Sequence, residues 1–122
     1  MPRPRRYSAK GQEVVVPSAA RTTTGNGSTV SGWARGQGAQ SRLTISAASG
    51  TTPSLTVIVE DSPDGTTFTT RDTYPAQTTT ATVTRALPTG MDIYQRVRWT
   101  ISGTTPSFTF SVQFAASTEA LQ

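Results

Sequence analysis

Residues 93–114 read IYQRVRWTISGTTPSFTFSVQF, and this stretch decides the fold class because large and small or polar side chains alternate along most of it. One side of its first part carries Ile93, Gln95, Val97, Trp99 and Ile101. After the SGTTPS segment, the alternation resumes with Phe108, Phe110, Val112 and Phe114. A period of two residues is typical of a β-strand with one buried face. The stretch therefore predicts two strands, one on either side of a turn.

The same hexapeptide occurs twice in the chain, at 49–54 and at 102–107. Alternating apolar residues also flank the first copy, with Leu43 and Ile45 before it and Leu55 and Val57 after it. Glycine and proline between alternating runs favour a turn, so each copy predicts a hairpin whose turn sets the register. The alternative is a ligand-binding loop built from hydroxyl groups and backbone amides.

Shorter β-branched runs separated by Gly, Pro and Asp predict the remaining strands. These runs lie near residues 12–16, 28–33, 67–70 and 79–85. About seven to eight short strands with turn signals between them predict an all-β fold, an antiparallel β-sandwich or small barrel. With 122 residues, we expect one such domain at 21–116, preceded by an extended basic N-terminal arm at 1–20 and followed by a C-terminal tail at 117–122.

The net charge of +4 is concentrated in the first ten residues. Arg3, Arg5, Arg6 and Lys10 lie there, which leaves seven basic residues (11 − 4) against all seven acidic residues in the rest of the chain. A nucleic-acid-binding domain normally carries a basic face on its folded surface as well. The neutral body therefore makes nucleic acid a poor partner. It favours an arm that is either a solvated tail or a segment that docks on an acidic protein surface.

The residue types for most catalysis are missing from the sequence. It contains no His, the usual general base, and no Cys, the thiol nucleophile. Both are also the commonest transition-metal ligands. Glu60, Asp61 and Asp64 form the one carboxylate cluster, and the Ser-Pro-Asp-Gly sequence around Asp64 is typical of a structural turn. We therefore expect a protein that is not an enzyme and that uses no cofactor or metal.

The candidate partner-binding residues are basic or aromatic. They are Arg3, Arg5, Arg6 and Tyr7 in the arm, and Trp33, Tyr94, Arg96 and Arg98 in the body. Trp33 is either an interface anchor or a core residue, and its size favours the core. Arg96 and Arg98 share a strand face with Tyr94, a composition typical of interface hot spots, although a solvated strand face is an equal alternative.

Two segments, SGTTPSLTVIVEDSPDGTTF at 49–68 and YQRVRWTISGTTPSFTFSV at 94–112, resemble a family of small β-sandwich proteins from the structural-gene regions of tailed bacteriophages, particularly phages of actinobacteria. The resemblance implies a head decoration (cement) protein that sits on the capsid surface of the virion, contacts the major capsid protein and forms homo-oligomers, for example trimers. The apolar stretches of the sequence are too short to cross a bilayer, and its first residues lack the apolar segment of a secretory signal. We therefore expect synthesis in the host cytoplasm and no membrane partner.

Two other functions stay open at this point. A component of the tail or of the head-to-tail connector would suit the same β-domain and arm. A carbohydrate-binding module would instead use Trp33, Tyr74 or Tyr94 as a stacking platform for sugar rings.

Overall fold

The computed structural model describes residues 11–34 and 39–116, and every regular element in them is a β-strand. The strands are β1 (Gln12–Arg21), β2 (Gly25–Asn26), β3 (Val30–Ser31), β4 (Gln40–Ser62), β5 (Thr69–Thr73), β6 (Ala81–Ala86) and β7 (Tyr94–Ala115). All strand pairs are antiparallel. The predicted all-β antiparallel fold is thus confirmed. Among the described residues, no helix is long and apolar enough to cross a membrane.

The two longest strands, β4 and β7, pair along their whole length and form the centre of the sheet. Their register runs from Gln40 opposite Ala115 to Ser62 opposite Tyr94. On the free side of β7 lie β1, β2 and β3, and on the free side of β4 lie β5 and β6. Four chain segments therefore run side by side, in the order 12–31, 94–115, 40–62 and 69–86.

The two SGTTPS copies face each other in the middle of this central pair. Ser49 lies opposite Ser107, and Ser54 lies opposite Ser102, with register shifts between them. The predicted hairpins are wrong: the runs flanking each copy do not pair with each other, and β4 and β7 each continue through their copy. Backbone φ angles are positive at Gly50, Thr52, Gly103 and Thr105, so the motif interrupts the regular strand geometry in both strands at the same level.

The motif divides the sheet into two halves that lie against each other. The first half contains β1, 108–115, 40–48 and β6, and the second contains β2 with β3, 94–101, 55–62 and β5. Trp99 of the second half packs edge-to-face on Phe110 of the first, with ring centroids 5.3 Å apart. Tyr74 also connects the halves. Its hydroxyl is hydrogen-bonded to the Ser41 hydroxyl in the first half, and its backbone N–H donates to the Val57 carbonyl in the second.

The order of the segments corresponds to a jelly roll. The chain passes from the first half (β1) to the second (β2, β3), back to the first (start of β4) and again to the second (end of β4, β5). It then visits the first half (β6), the second (start of β7) and the first (end of β7). Eight strand segments in two halves of four, linked in this way, define jelly-roll topology.

The core lies between the two halves and consists of the inward side chains of the alternating runs. Its fully buried members include Leu43, Leu55, Val57, Val59, Val97, Phe108, Phe110, Val112 and Phe114. The predicted alternation of the two long strands is therefore confirmed as the pattern that builds the core.

The predicted boundary between arm and domain at residue 20 differs from the structure. Strand β1 pairs with β7, and Val15 and Val16 are buried in the core. The strand extends through Pro17, which is compatible with its position at an edge of the sheet. Residues 12–20 therefore belong to the folded domain. The rest of the predicted arm, residues 1–10, and the predicted tail, 117–122, lie outside the described residues.

Candidate partner-binding face

The predicted grouping of Arg96 and Arg98 on one strand face is confirmed, and both side chains converge on one carboxylate. The Nε and Nη2 groups of Arg96 donate to Oε1 of Glu60, at 3.0 and 2.8 Å. Nε of Arg98 donates to Oε2 of the same residue, at 2.6 Å. Two guanidinium groups thus share one carboxylate, and the cluster of these three side chains has a net charge of +1.

Strand pairing explains why these three residues meet. Glu60 in β4 lies directly opposite Arg96 in β7, and Ile58 lies opposite Arg98. Side chains two residues apart on a strand point to the same side, so Arg98 reaches Glu60 diagonally across the pair. The Glu60 side chain is only 6% exposed, whereas those of Arg96 and Arg98 are 24% and 38% exposed. The arginines therefore cover the carboxylate and present the positive charge to solvent.

Two aromatic residues complete this surface, which we call the arginine face and define by Phe68, Tyr94, Arg96 and Arg98 with Glu60 beneath them. The guanidinium of Arg96 stacks on Phe68, with its Cζ atom 3.8 Å from the ring centroid. Phe68 and Tyr94 are half-buried. A guanidinium held by a carboxylate and an aromatic ring loses little further rotamer entropy on binding. The Arg96 side chain is thus held in place before any partner binds.

The other carboxylates of the cluster predicted around residue 60 serve the fold. Asp61 is buried on the opposite side of β4 from Glu60, where it accepts a 2.8 Å bond from Arg71 Nη1 and a 2.7 Å bond from the Asp92 N–H. Oδ1 of Asp64 accepts bonds from the N–H groups of Thr66 and Thr67, and these bonds lower the pKa of the Asp64 carboxyl. Glu60 and Asp61 therefore lie on opposite sides of β4 and cannot act together as a pair of carboxylates.

A further ion pair lies away from the arginine face. Arg85 of β6 donates through Nε and Nη2 to both carboxylate oxygens of Asp72, at 2.7 and 2.9 Å. This bidentate bond raises the pKa of Arg85. Among the described residues, no group of three or more His, Cys, Asp or Glu side chains is arranged to hold a metal ion.

Trp33 lies in the core rather than on the surface. It is 3% exposed, packs edge-to-face on Phe114 and donates from Nε1 to Glu13 Oε1 at 2.9 Å. The core interpretation of Trp33 is therefore confirmed, and its ring offers no contact area to a partner. Tyr74 is also buried, so neither of these two residues can stack on a sugar ring, and Tyr94 alone remains of that platform.

Four predicted partner-binding residues lie outside the described part of the chain. They are Arg3, Arg5, Arg6 and Tyr7. At the boundaries of the described part, the Ala116 N–H donates to the Gly11 carbonyl at 2.7 Å. Gly11 and Ala116, the described residues at these two boundaries, are therefore neighbours in the first half.

Two residues of the arginine face, Glu60 and Phe68, were not predicted from the sequence as site residues. Thr56, Ile58 and Glu60 alternate with the core residues of β4, and this alternation in the sequence already places Glu60 on the outer side of the strand. Comparison with protein-family models and with curated proteins finds no match to this chain.

Proposed function

We propose that the protein is a structural component of a tailed-bacteriophage particle: a head decoration protein that binds the outer surface of the shell and stabilises it. The observation that carries the binding role is the arginine face. Two arginines bonded to a buried carboxylate, one of them stacked on Phe68, with Tyr94 on the same strand face, have the composition of an interface hot spot. The major capsid protein is the proposed partner.

The fold is consistent with this role. Jelly rolls are common in viral capsid and lectin domains, where a rigid two-layer body displays surfaces for assembly. Fold alone does not determine function. The phage assignment itself rests on the resemblance of residues 49–68 and 94–112 to phage structural proteins.

The charge distribution supports two separate contacts with the shell, one made by the arginine face of the body and one by the basic residues at 1–10. The body after residue 10 has equal numbers of basic and acidic residues, and the arginine face is a local excess of positive charge on it. The basic residues at 1–10 join the body at Gly11. On a lattice of identical shell subunits, two moderate contacts on one molecule gain avidity because the second contact forms at high effective concentration.

The test is binding of the purified full chain to undecorated heads, measured by cosedimentation. We expect saturable binding, and Arg98→Gln should weaken it about tenfold, because a charged hot-spot contact is lost. Arg98 is the better choice for substitution because Arg96 keeps both of its bonds to Oε1 of Glu60 in that variant, so the buried carboxylate retains a counter-charge. The matched control is Arg85→Gln, which removes the same charge next to Asp72 and should bind within about twofold of wild type.

Two results would contradict the proposal. Absence of wild-type binding to heads would exclude a decoration role. Equal losses for Arg98→Gln and Arg85→Gln would show that net charge, and not the arginine face, drives the interaction.

A further inference from the structure

Strand β6 forms a regular, open edge of the first half. Its six residues pair with β4 in one unbroken register, from Gln40 opposite Ala86 to Ile45 opposite Ala81. No described strand pairs with its other side. Its sequence, ATVTRA, contains no Pro or Gly.

The pattern of backbone hydrogen bonds between β4 and β6 shows which β6 residues point their N–H and C=O groups away from β4. The Leu87 N–H donates to the Ala39 carbonyl at 2.9 Å, and these residues continue the β4–β6 register by one position. In an antiparallel pair, residues bonded to β4 alternate with residues whose N–H and C=O point away from it. The backbone groups of Thr82, Thr84 and Ala86 therefore point out of the sheet edge, and all three residues are exposed.

The other edge strands differ from β6 in ways that hinder further pairing. Strand β1 has two register shifts and contains Pro17. Strands β2 and β3 are two residues long each, and β5 pairs with a register shift and carries Arg71 and Asp72. Short length, bulges, prolines and charges are the usual means by which proteins block edge-to-edge association. Among the described edges, β6 lacks them, apart from Arg85.

We propose that β6 is a self-association edge, which pairs antiparallel with β6 of a second copy of this chain. Thr84 lies on the twofold axis opposite its own copy, and Thr82 lies opposite Ala86 of the partner copy. Each strand then supplies three N–H donors and three carbonyl acceptors to the new ladder. The first halves of two molecules join into one continuous eight-stranded sheet.

The side chains suit pairing of identical strands. Cross-strand threonine pairs are favourable, and like charges directly opposite each other are not. In the proposed register, Arg85 lies opposite Val83 of the partner copy, and its charge is already paired with Asp72. No like charges meet across the axis, so a second copy is the occupant that the edge fits. This inference goes beyond the decoration role and does not depend on it.

The experiment is sedimentation equilibrium of the full chain over concentrations from about 10 µM to about 1 mM, because an interface limited to one strand edge is small and of modest affinity. We expect the weight-average mass to rise from monomer towards dimer. Thr84→Lys places two like charges opposite each other on the axis and should weaken dimerisation at least about tenfold, less so at high salt. The matched control is Thr44→Lys, which adds the same charge on the central strand next to Thr82 and should leave dimerisation unchanged.

A second variant separates loss of pairing from loss of folding. Thr84→Pro removes an outward N–H that β4 does not use, so thermal unfolding should stay cooperative while the dimer disappears. A wild-type chain that stays monomeric at the highest concentration would overturn the inference. So would an oligomer of any size whose mass is unchanged by Thr84→Lys and Thr84→Pro.

Discussion

Glu60 illustrates how one buried residue shapes an exposed surface. Its carboxylate lies beneath two arginines, so it sets the position of both guanidinium groups and halves their net charge. Asp61, the next residue, points to the other side of the strand and serves the core instead. Because side chains alternate along a strand, Glu60 binds the arginines on the outer side of β4, and Asp61 binds Arg71 on the opposite side.

We expect Glu60→Gln to lower the free energy of unfolding by about 1–3 kcal/mol, because two partly buried arginines lose their shared counter-charge. Asp72→Asn is the matched control: it breaks the more exposed pair with Arg85 and should cost no more than about 1 kcal/mol. Urea denaturation of both variants measures the difference. Equal costs would contradict the view that Glu60 organises the arginine face.

Tyr74 makes the stability of the fold sensitive to alkaline pH. Burial raises the pKa of its hydroxyl to about 12, with the Ser41 hydrogen bond acting in the opposite direction. In the unfolded chain the pKa of tyrosine is about 10. The folded state therefore favours the protonated hydroxyl, and the stabilisation is complete below pH 10 and is lost as the pH rises towards about 12.

The expected loss between these pH values is about 2–3 kcal/mol. It is measured as the difference in unfolding free energy between the wild type and Tyr74→Phe across the range. The lost bond to Ser41 adds a constant offset to this difference, whereas its slope with pH reports the titration of Tyr74. A difference that stays flat from pH 9 to pH 12 would show that Tyr74 is not buried as described.

At the scale of the element, the SGTTPS pair is the point where both long strands change course. Gly50 and Gly103 adopt φ angles of 115° and 121°. A Cβ atom at Gly103 would lie 2.7 Å from the Thr52 carbonyl oxygen and 2.9 Å from the Pro53 Cα atom. Each copy of the motif therefore needs its glycine because the other copy passes so close.

We expect Gly103→Ala to lower the free energy of unfolding by about 2–4 kcal/mol, since strained φ and backbone overlap act together. Gly90→Ala is the matched control, because Gly90 has a φ of 75° but open space around its missing Cβ. That variant should cost about 1 kcal/mol, because a positive φ is then the one unfavourable feature and no backbone overlap is added. Thermal or urea denaturation distinguishes the two, and similar costs would argue against the close approach of the copies.

The two hexapeptides also show where prediction from the sequence stops. Alternation identified most strand positions because the period of two is a local property of the chain. Gly and Pro mark a break in regular pairing, but a hairpin turn and a mid-strand bend use the same residues. Which one forms depends on whether residues 40–48 pair with 55–62 or with 108–115, and that choice is made by long-range packing.

The same reasoning applies to the arginine face. That Arg96 and Arg98 share a side follows from their spacing alone. Their common partner lies 36 residues before Arg96 and on another strand, so it depends on the strand register. The burial of Trp33 was favoured by its size, whereas its bond to Glu13 again required the tertiary fold.

At the scale of the whole molecule, the protein is a jelly roll with differentiated surfaces. The second half bears the arginine face, and the first half ends in the open edge of β6. Gly11 and Ala116 are hydrogen-bonded neighbours in the first half. The arginine face and the edge of β6 lie at separate places, so the proposed contact with a shell and the proposed contact with a second copy would not compete. The decoration role and the β6 edge remain separable, because each is tested with its own variants.

Cryo-electron microscopy of the purified phage particle tests the decoration proposal most directly. We predict density for the jelly roll at repeated positions across the outer head surface, with Arg96 and Arg98 turned towards the shell. Density confined to a ring at the head-to-tail junction, or particles that contain no copy of the chain, would contradict it.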